Sequence, residues 1–267
     1  MRPKKPVSIK DYLKSYRFVL SSMLIAQSLT AKPVLIFYCG ITMVPAMQSM
    51  IKIFKQTHDC SFLIRQGGSG ELLRALTLFQ KGDLFLPGSE SYYRKAEKNL
   101  FVYRRTIGKN RLALFVRTED ADRIRSLDDL HKKGVYFAIG DAWIGSVGRA
   151  TRALIRSVYG EAAWRRYEDE AVYFGSDSRD LLRLMAEEDV QATINWKAAA
   201  YRLRRLNEST AGLHIYPIPA ADAQAKKLVI STLRFSKHPA LARAFVDFAA
   251  SPTGRRIMER YGLGDGK

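Results

Sequence analysis

Phe62-Leu63-Ile64-Arg65-Gln66-Gly67-Gly68-Ser69-Gly70-Glu71-Leu72-Leu73 joins a short apolar run to a helical window through a glycine-rich turn. The apolar triplet predicts a buried strand, and Leu72, Leu73, Leu76 and Phe79 recur at the spacing of one helix face. The same order precedes this unit. Val34-Leu35-Ile36-Phe37-Tyr38-Cys39 reads as a buried strand, Gly40 and Thr42 as a turn, and Pro45 as a first-turn proline opening a helix with Met47, Met50, Ile51 and Phe54 on one face. It follows again as Leu84-Phe85-Leu86, Pro87-Gly88 and a helix predicted to start near Ser89. Three successive βα units predict an α/β lobe with a largely parallel sheet.

Further along, residues 100–103 and 112–116 are apolar β runs flanking Gly108-Lys109-Asn110, read as a turn that takes the chain out of the first lobe. A second α/β unit follows, with strands predicted at 135–139, 171–174, 192–196 and 214–218 and helices near 147–159, 161–168 and 178–187. Leu228-Val229-Ile230 reads as a further strand, and 239–261 as two amphipathic helices split at Ser251-Pro252. The predicted organisation is a segment 1–31, a first lobe of 32–115 and 226–267, and a second lobe of 116–225. Such lobes form a hinged pair with the ligand between them.

A chain of 267 residues, 47% of them hydrophobic, is long enough to bury two lobe cores. The formal charge of +18 calls for a polyanion, an anionic membrane surface, a small anionic ligand or a well-solvated basic face. Arg2, Lys4, Lys5, Lys10, Lys14 and Arg17 precede an apolar stretch at 18–26, which predicts an export signal and a periplasmic or other extracytoplasmic location. Ser21 and Ser22 interrupt that stretch, and a basic tail leading into an amphipathic helix is the alternative. Without 1–31 the charge falls by five, from +18 to +13, so the basic character belongs to the folded part. Cys39 and Cys60 fall at opposite ends of two expected parallel strands, roughly 15 Å apart at about 3.3 Å per residue. A disulfide needs Cα atoms within about 7 Å, so none is predicted.

Five turns combine small or hydroxyl residues with a helix start: Gly40-Ile41-Thr42, Gly67-Gly68-Ser69-Gly70, Pro87-Gly88-Ser89, and the stretches 140–148 and 175–178. In parallel sheets such turns gather at the carboxyl edge, where free N–H groups and helix dipoles favour an anion. One such turn is an ordinary helix cap; five in order point to a site. No catalytic residue and no cofactor is expected, because His58, His131, His214 and His238 are scattered and none has metal-ligand spacing. Asp128-Asp129 and Glu187-Glu188-Asp189 read as solvated helix boundaries. Arg104-Arg105, Arg165-Arg166, Arg204-Arg205 and Arg255-Arg256, with aromatic neighbours, keep a nucleic-acid-associated module open as an alternative. These pairs are spread along polar helix faces, so nucleic acid is not the expected partner. Tyr92, Tyr93 and Trp164 read as packing, while Trp196 ends a strand at the predicted cleft.

These residues together resemble the substrate-binding proteins of molybdate and tungstate ABC transporters. The resemblance spans residues 33–263 and rests on Gly67-Gly68-Ser69-Gly70-Glu71-Leu72-Leu73, Lys81-Gly82-Asp83-Leu84-Phe85-Leu86-Pro87-Gly88-Ser89, Ser126-Leu127-Asp128-Asp129-Leu130, Ala138-Ile139-Gly140-Asp141 and Ala192-Thr193-Ile194-Asn195-Trp196. It implies a two-lobed type II periplasmic-binding-protein fold, each lobe a mainly parallel sheet flanked by helices. It also implies a monomeric, non-enzymatic protein that closes on a small oxyanion, molybdate or tungstate, and passes it to the membrane permease of an ABC transporter. A basic nucleic-acid-associated or effector-sensing module on the same fold is the alternative. By the resemblance, the ligand serine of the glycine-rich loop is Ser69 and the hydroxyl after the first strand is Thr42. The second-lobe donors fall at Ser146 and Val147 and at Asp177 and Ser178, and Trp196 stands where many members carry an aromatic hydroxyl. An indole N–H donates but cannot accept. The metal oxyanion would be held through these same residues. An inward Asp177 carboxylate would repel a dianion, so only its backbone is expected to contribute; an inward Asp177 or Asp141 would favour a cation instead.

Overall fold

A computed structural model describes residues 32–95, 100–201 and 212–264. The predicted segment 1–31 and Arg204-Arg205 lie outside the described residues. In the first lobe the apolar runs become β1 (Val34–Gly40), β2 (Ser61–Gly67) and β3 (Leu84–Leu86). They pair in parallel because α1 (Val44–Phe54) and α2 (Ser69–Phe79) return the chain between them. β4 (Phe101–Asn110) is long and mostly exposed at its start, and β10 (Lys226–Leu233) pairs antiparallel with both β3 and β4. The sheet order is β2-β1-β3-β10-β4. Val34 pairs with Ser61 and Cys39 with Gln66, so the buried thiols of Cys39 and Cys60 sit at opposite ends of the β1–β2 pair.

The second sheet is built from β5 (Leu112–Arg117), β6 (Phe137–Gly140), β7 (Tyr173–Gly175), β8 (Ala192–Trp196) and β9 (Leu213–Pro217), in the order β7-β6-β8-β5-β9. β6 is parallel to β7 and β8, whereas β5 is antiparallel to β8 and β9. The helices are α3 (Tyr92–Lys95), α4 (Ser146–Glu170), α5 (Ser178–Glu187), α6 (Pro219–Ala223), α7 (Pro239–Ala250) and α8 (Pro252–Arg260). The break expected after residue 159 is a kink at Gly160 inside α4, where φ is 87°. Phe37, Met47, Phe54 and Phe245 fill the first core, and Phe115, Phe137, Leu154 and Trp164 the second. Among the described residues no helix is long and apolar enough to cross a membrane.

Two expectations are corrected. Residues 112–115 belong to the second sheet, not the first lobe, because Leu112 pairs with Trp196 and Phe115 with Thr193. The lobe boundary therefore moves from 115 to Arg111, the single residue between β4 and β5. Arg111 tethers this crossing: its guanidinium donates to the carbonyl of Gly264 at 2.7 Å and pairs with Asp222 at 2.9 Å. Gly108-Lys109-Asn110 is strand rather than turn. Gly108 is needed for close approach, since a Cβ there would lie 2.1 Å from the carbonyl oxygen of Leu263. The helix predicted from near Ser89 begins at Tyr92, because Ser89 folds into a side-chain turn that accepts the N–H of Ser91 at 3.3 Å.

Candidate functional site

The strand pairings bring the five glycine-containing turns to one place. Gly40 pairs with Gly67 at the carboxyl ends of β1 and β2, and Gly140 with Gly175 at the carboxyl ends of β6 and β7. The chain turns there directly into α1, α2, α4 and α5, so four helix starts face the space between the lobes. No side chain caps α1, and neither Gly68 before α2 nor Gly145 before α4 has a side chain to cap with. Their first N–H groups supply positive potential without a formal charge.

Between these starts lies a cavity of about 20 Å³. Thr42, Ser69, Ser146, Asp177, Ser178 and Trp196 all line it, together with Gly88 and with Gly40, Ile41 and Met43 of the first turn. Of the residues predicted for the site, Val147 alone is not part of the wall: its side chain is buried in the second-lobe core. Its N–H still belongs to the open first turn of α4. Ile41 and Gly88 belong to the turns expected at the site, whereas Met43 adds a thioether that no sequence signal marks. Among the described residues no lysine or arginine lines the cavity.

The hydrogen bonds set the polarity of the wall. The N–H of Gly88 donates to Oγ of Ser69 at 2.9 Å, and Nε1 of Trp196 donates to Oγ of Ser146 at 3.2 Å. Both hydroxyls thus spend acceptor capacity on protein donors and keep a proton to give. Thr42 Oγ1 has only a weak acceptor, Sδ of Met43 at 3.1 Å. Ser178 Oγ is buried and has no hydrogen-bond partner among the described residues. A buried hydroxyl in that condition carries a desolvation cost that an acceptor in the cavity would remove. Trp196 itself is buried at the end of β8, so the indole reaches the site through Ser146 rather than replacing a hydroxyl outright.

Asp177 lines the cavity but commits one carboxylate oxygen to the protein. Oδ1 accepts the N–H of Arg179 at 2.8 Å and of Asp180 at 3.0 Å, which makes it the cap of α5. Asp141 is occupied likewise, its Oδ1 accepting the N–H of Trp143 at 2.6 Å and of Ile144 at 3.2 Å. Among the described residues no group of three or more His, Cys, Asp or Glu is placed to hold a metal ion. The lobes meet closely at the cavity: a Cβ on Gly88 would lie 2.6 Å from Oγ of Ser146, and one on Gly70 would lie 2.8 Å from the carbonyl oxygen of Ile144. The paired arginines outside the site, Arg104-Arg105, Arg165-Arg166 and Arg255-Arg256, are exposed on three separate elements.

The profile of a family described as bacterial extracellular solute-binding protein matches residues 35–264. A curated binding protein of Haemophilus influenzae is 25% identical over 232 residues, 86% of this chain and 90% of that protein. Three solved structures share the fold. The sulfate-binding protein SubI from Mycobacterium tuberculosis has a TM-score of 0.73 at 14% identity, covering 86% of each chain. The periplasmic molybdate-binding protein of Azotobacter vinelandii has a TM-score of 0.71 at 13% identity, covering 87% of this chain and 100% of that one. A periplasmic thiamin-binding protein has a TM-score of 0.70 at 16% identity, covering 89% and 86%. The two sheets match the lobes of these periplasmic binding proteins, as the resemblance implied.

Proposed function

Because the chain belongs to the bacterial extracellular solute-binding protein family, we propose that it captures a small tetrahedral oxyanion, molybdate or tungstate by preference, for the permease of an ABC-type importer. The family and the fold are those of binding proteins rather than enzymes. Family membership implies a small ligand and a permease partner, and the periplasmic homologues imply an extracytoplasmic location.

The observation that carries the oxyanion reading is the donor polarity of the cavity: Ser69 and Ser146 accept from protein donors, Ser178 is unpartnered, and no cationic side chain lines the wall. Neutral, directed donors replace the hydration of an anion without a counter-charge. A cavity of about 20 Å³ holds about one or two water-sized spheres, too little for a vitamin or sugar; the four oxygens of a tetrahedral anion also require the walls to ease apart, so the polarity and not the volume carries the reading. Thr42, Ser69, Ser146, Ser178 and the open first turns of α2 and α4 would hold the oxyanion, with Trp196 orienting Ser146.

Titration calorimetry against molybdate, tungstate, sulfate and phosphate tests this. Saturable one-to-one binding of molybdate and tungstate, stronger than that of the two smaller anions, is the expected result. Binding of none of the four would overturn the reading.

A further inference from the structure

A wider groove, about 550 Å³ in volume, lies beside the inner cavity and shares Ser146 with it. Its first-lobe wall carries Glu90, Arg94 and Lys226, and its second-lobe wall Trp143, Arg149 and Arg152. Arg149 and Arg152 lie three residues apart on the first turns of α4 and so share one face. Arg156, one turn further on, also lines the groove but is paired with Glu161. Among the described residues Glu90 is the only carboxylate in the lining, and it acts on Lys226; Arg94, Arg149 and Arg152 are the remaining cations of the two walls.

The two α4 arginines are held in place without being satisfied. Arg149 stacks over the ring of Tyr92, from the other lobe, at 4.4 Å, and its Nη1 donates to the carbonyl of Trp143 at 3.2 Å. Its Nε and Nη2 are buried and have no hydrogen-bond partner among the described residues. Arg152 sits over the ring of Trp143 at 5.6 Å, and its Nε is also buried and unpartnered. A guanidinium stays charged, so these N–H groups are buried charge with open donor positions. Burial works against the cation at both walls, lowering the pKa of Arg149 and of Lys226. Cations of the two lobes thus face one another across a space that offers them almost no acceptor.

We propose that this groove is a second anion site, for an organic anion carrying two or more phosphate or carboxylate groups. Its volume falls in the range of small-molecule pockets, about 300–1,000 Å³, and a lone tetrahedral ion would leave most of it unfilled. A multivalent anion reaches Arg149 and Arg152 on one wall and Arg94 and Lys226 on the other, which a single oxyanion cannot do. Since its contacts come from both lobes, the occupant favours the closed arrangement and raises the affinity of the inner cavity.

Titration calorimetry with tripolyphosphate and with citrate, at near-physiological salt, tests the site independently of the inner one. One saturable site for at least one probe is expected. Arg149→Gln/Arg152→Gln should weaken it at least about tenfold, whereas Arg65→Gln/Arg260→Gln, which removes the same charge from exposed positions, should stay within about twofold. Ser69→Ala should leave probe binding intact, so loss of the oxyanion site and loss of this site are separable. Should the double variant fail to fold, Arg152→Gln alone is measured, with a several-fold loss expected. Absence of saturable binding, equal losses in the two double variants, unchanged affinity in Arg152→Gln, or displacement of the probe by molybdate would each overturn the proposal.

Discussion

Replacing Ser178 with alanine acts in opposite directions on the free and on the liganded protein. In the free protein Oγ of Ser178 is buried without a partner, and a buried unsatisfied polar group costs about 1–3 kcal/mol. The helix cap at this turn is Asp177, and the main-chain carbonyl of Ser178, which accepts from Nδ2 of Asn195 at 3.0 Å, is kept in the variant. Nothing else is lost. Ser178→Ala should therefore stabilise the free protein by about 1 kcal/mol, a rise of about 2–4 °C in Tm for a chain of this size. With an oxyanion bound, the same hydroxyl makes a charge-assisted hydrogen bond of about 1.5–3 kcal/mol, so its removal should weaken binding by about tenfold to about a hundredfold. Scanning calorimetry of the free variant and titration with tungstate measure the two effects. A lower Tm combined with an affinity within twofold of the parent would refute the reasoning, because it would mean that the hydroxyl serves the fold and not the cavity.

Gly88→Ala should leave each lobe folded but hold them apart, since the new Cβ would meet Oγ of Ser146 at 2.6 Å; the expected effect is about a tenfold faster oxyanion release, followed by stopped-flow tryptophan fluorescence through Trp196. Asp177→Asn keeps the capping oxygen and removes a negative charge from the wall. The affinity for a dianion should rise by about threefold to tenfold at low ionic strength, with the gain shrinking as salt is added, as titration across a salt series reads out. Asp129 makes a pH-dependent contribution to stability. Lys132 at 2.8 Å and the N–H groups of Arg125 and Ser126 hold its carboxyl well below the usual carboxylate range. The folded-state value is depressed, so this stabilisation is full above the ordinary carboxylate pKa and is lost as pH falls through the lower folded-state value. Asp129→Ala should cost about 1–2 kcal/mol at neutral pH, and urea titrations should show the difference from the parent closing in strong acid.

The turns were legible from sequence because each is a local event: an apolar run, a glycine, a hydroxyl and a helix start occur within about ten residues, and parallel pairing then forces them to one edge. Features decided by distant pairing were not. The run at 112–116 is as apolar as a first-lobe strand, and only its register against β8 places it in the second sheet. Gly108 looks like a turn signal, but the carbonyl of Leu263, far along the chain, is what demands it. Nothing in the local sequence sets Arg149 and Arg152 apart, because the ring beneath Arg149, that of Tyr92, comes from the other lobe.

Trp196 shows how a departure from a pattern can preserve the chemistry. A hydroxyl at that position could donate to a ligand directly, whereas the indole has a single proton and gives it to Ser146. Ser146 then has its acceptor side engaged and its own proton left to direct, so the wall keeps a donor there, although the direct donation that a hydroxyl at 196 could add is gone. Gly88 imposes the same polarity on Ser69 from the first lobe. With Oδ1 of Asp177 and of Asp141 committed to backbone N–H groups and Oδ2 of Asp177 facing the Arg179 guanidinium at 3.7 Å, the carboxylates are drawn towards protein donors, and the hydroxyl groups of the wall are left to donate. That imbalance selects the sign of the ligand before its size or identity enters.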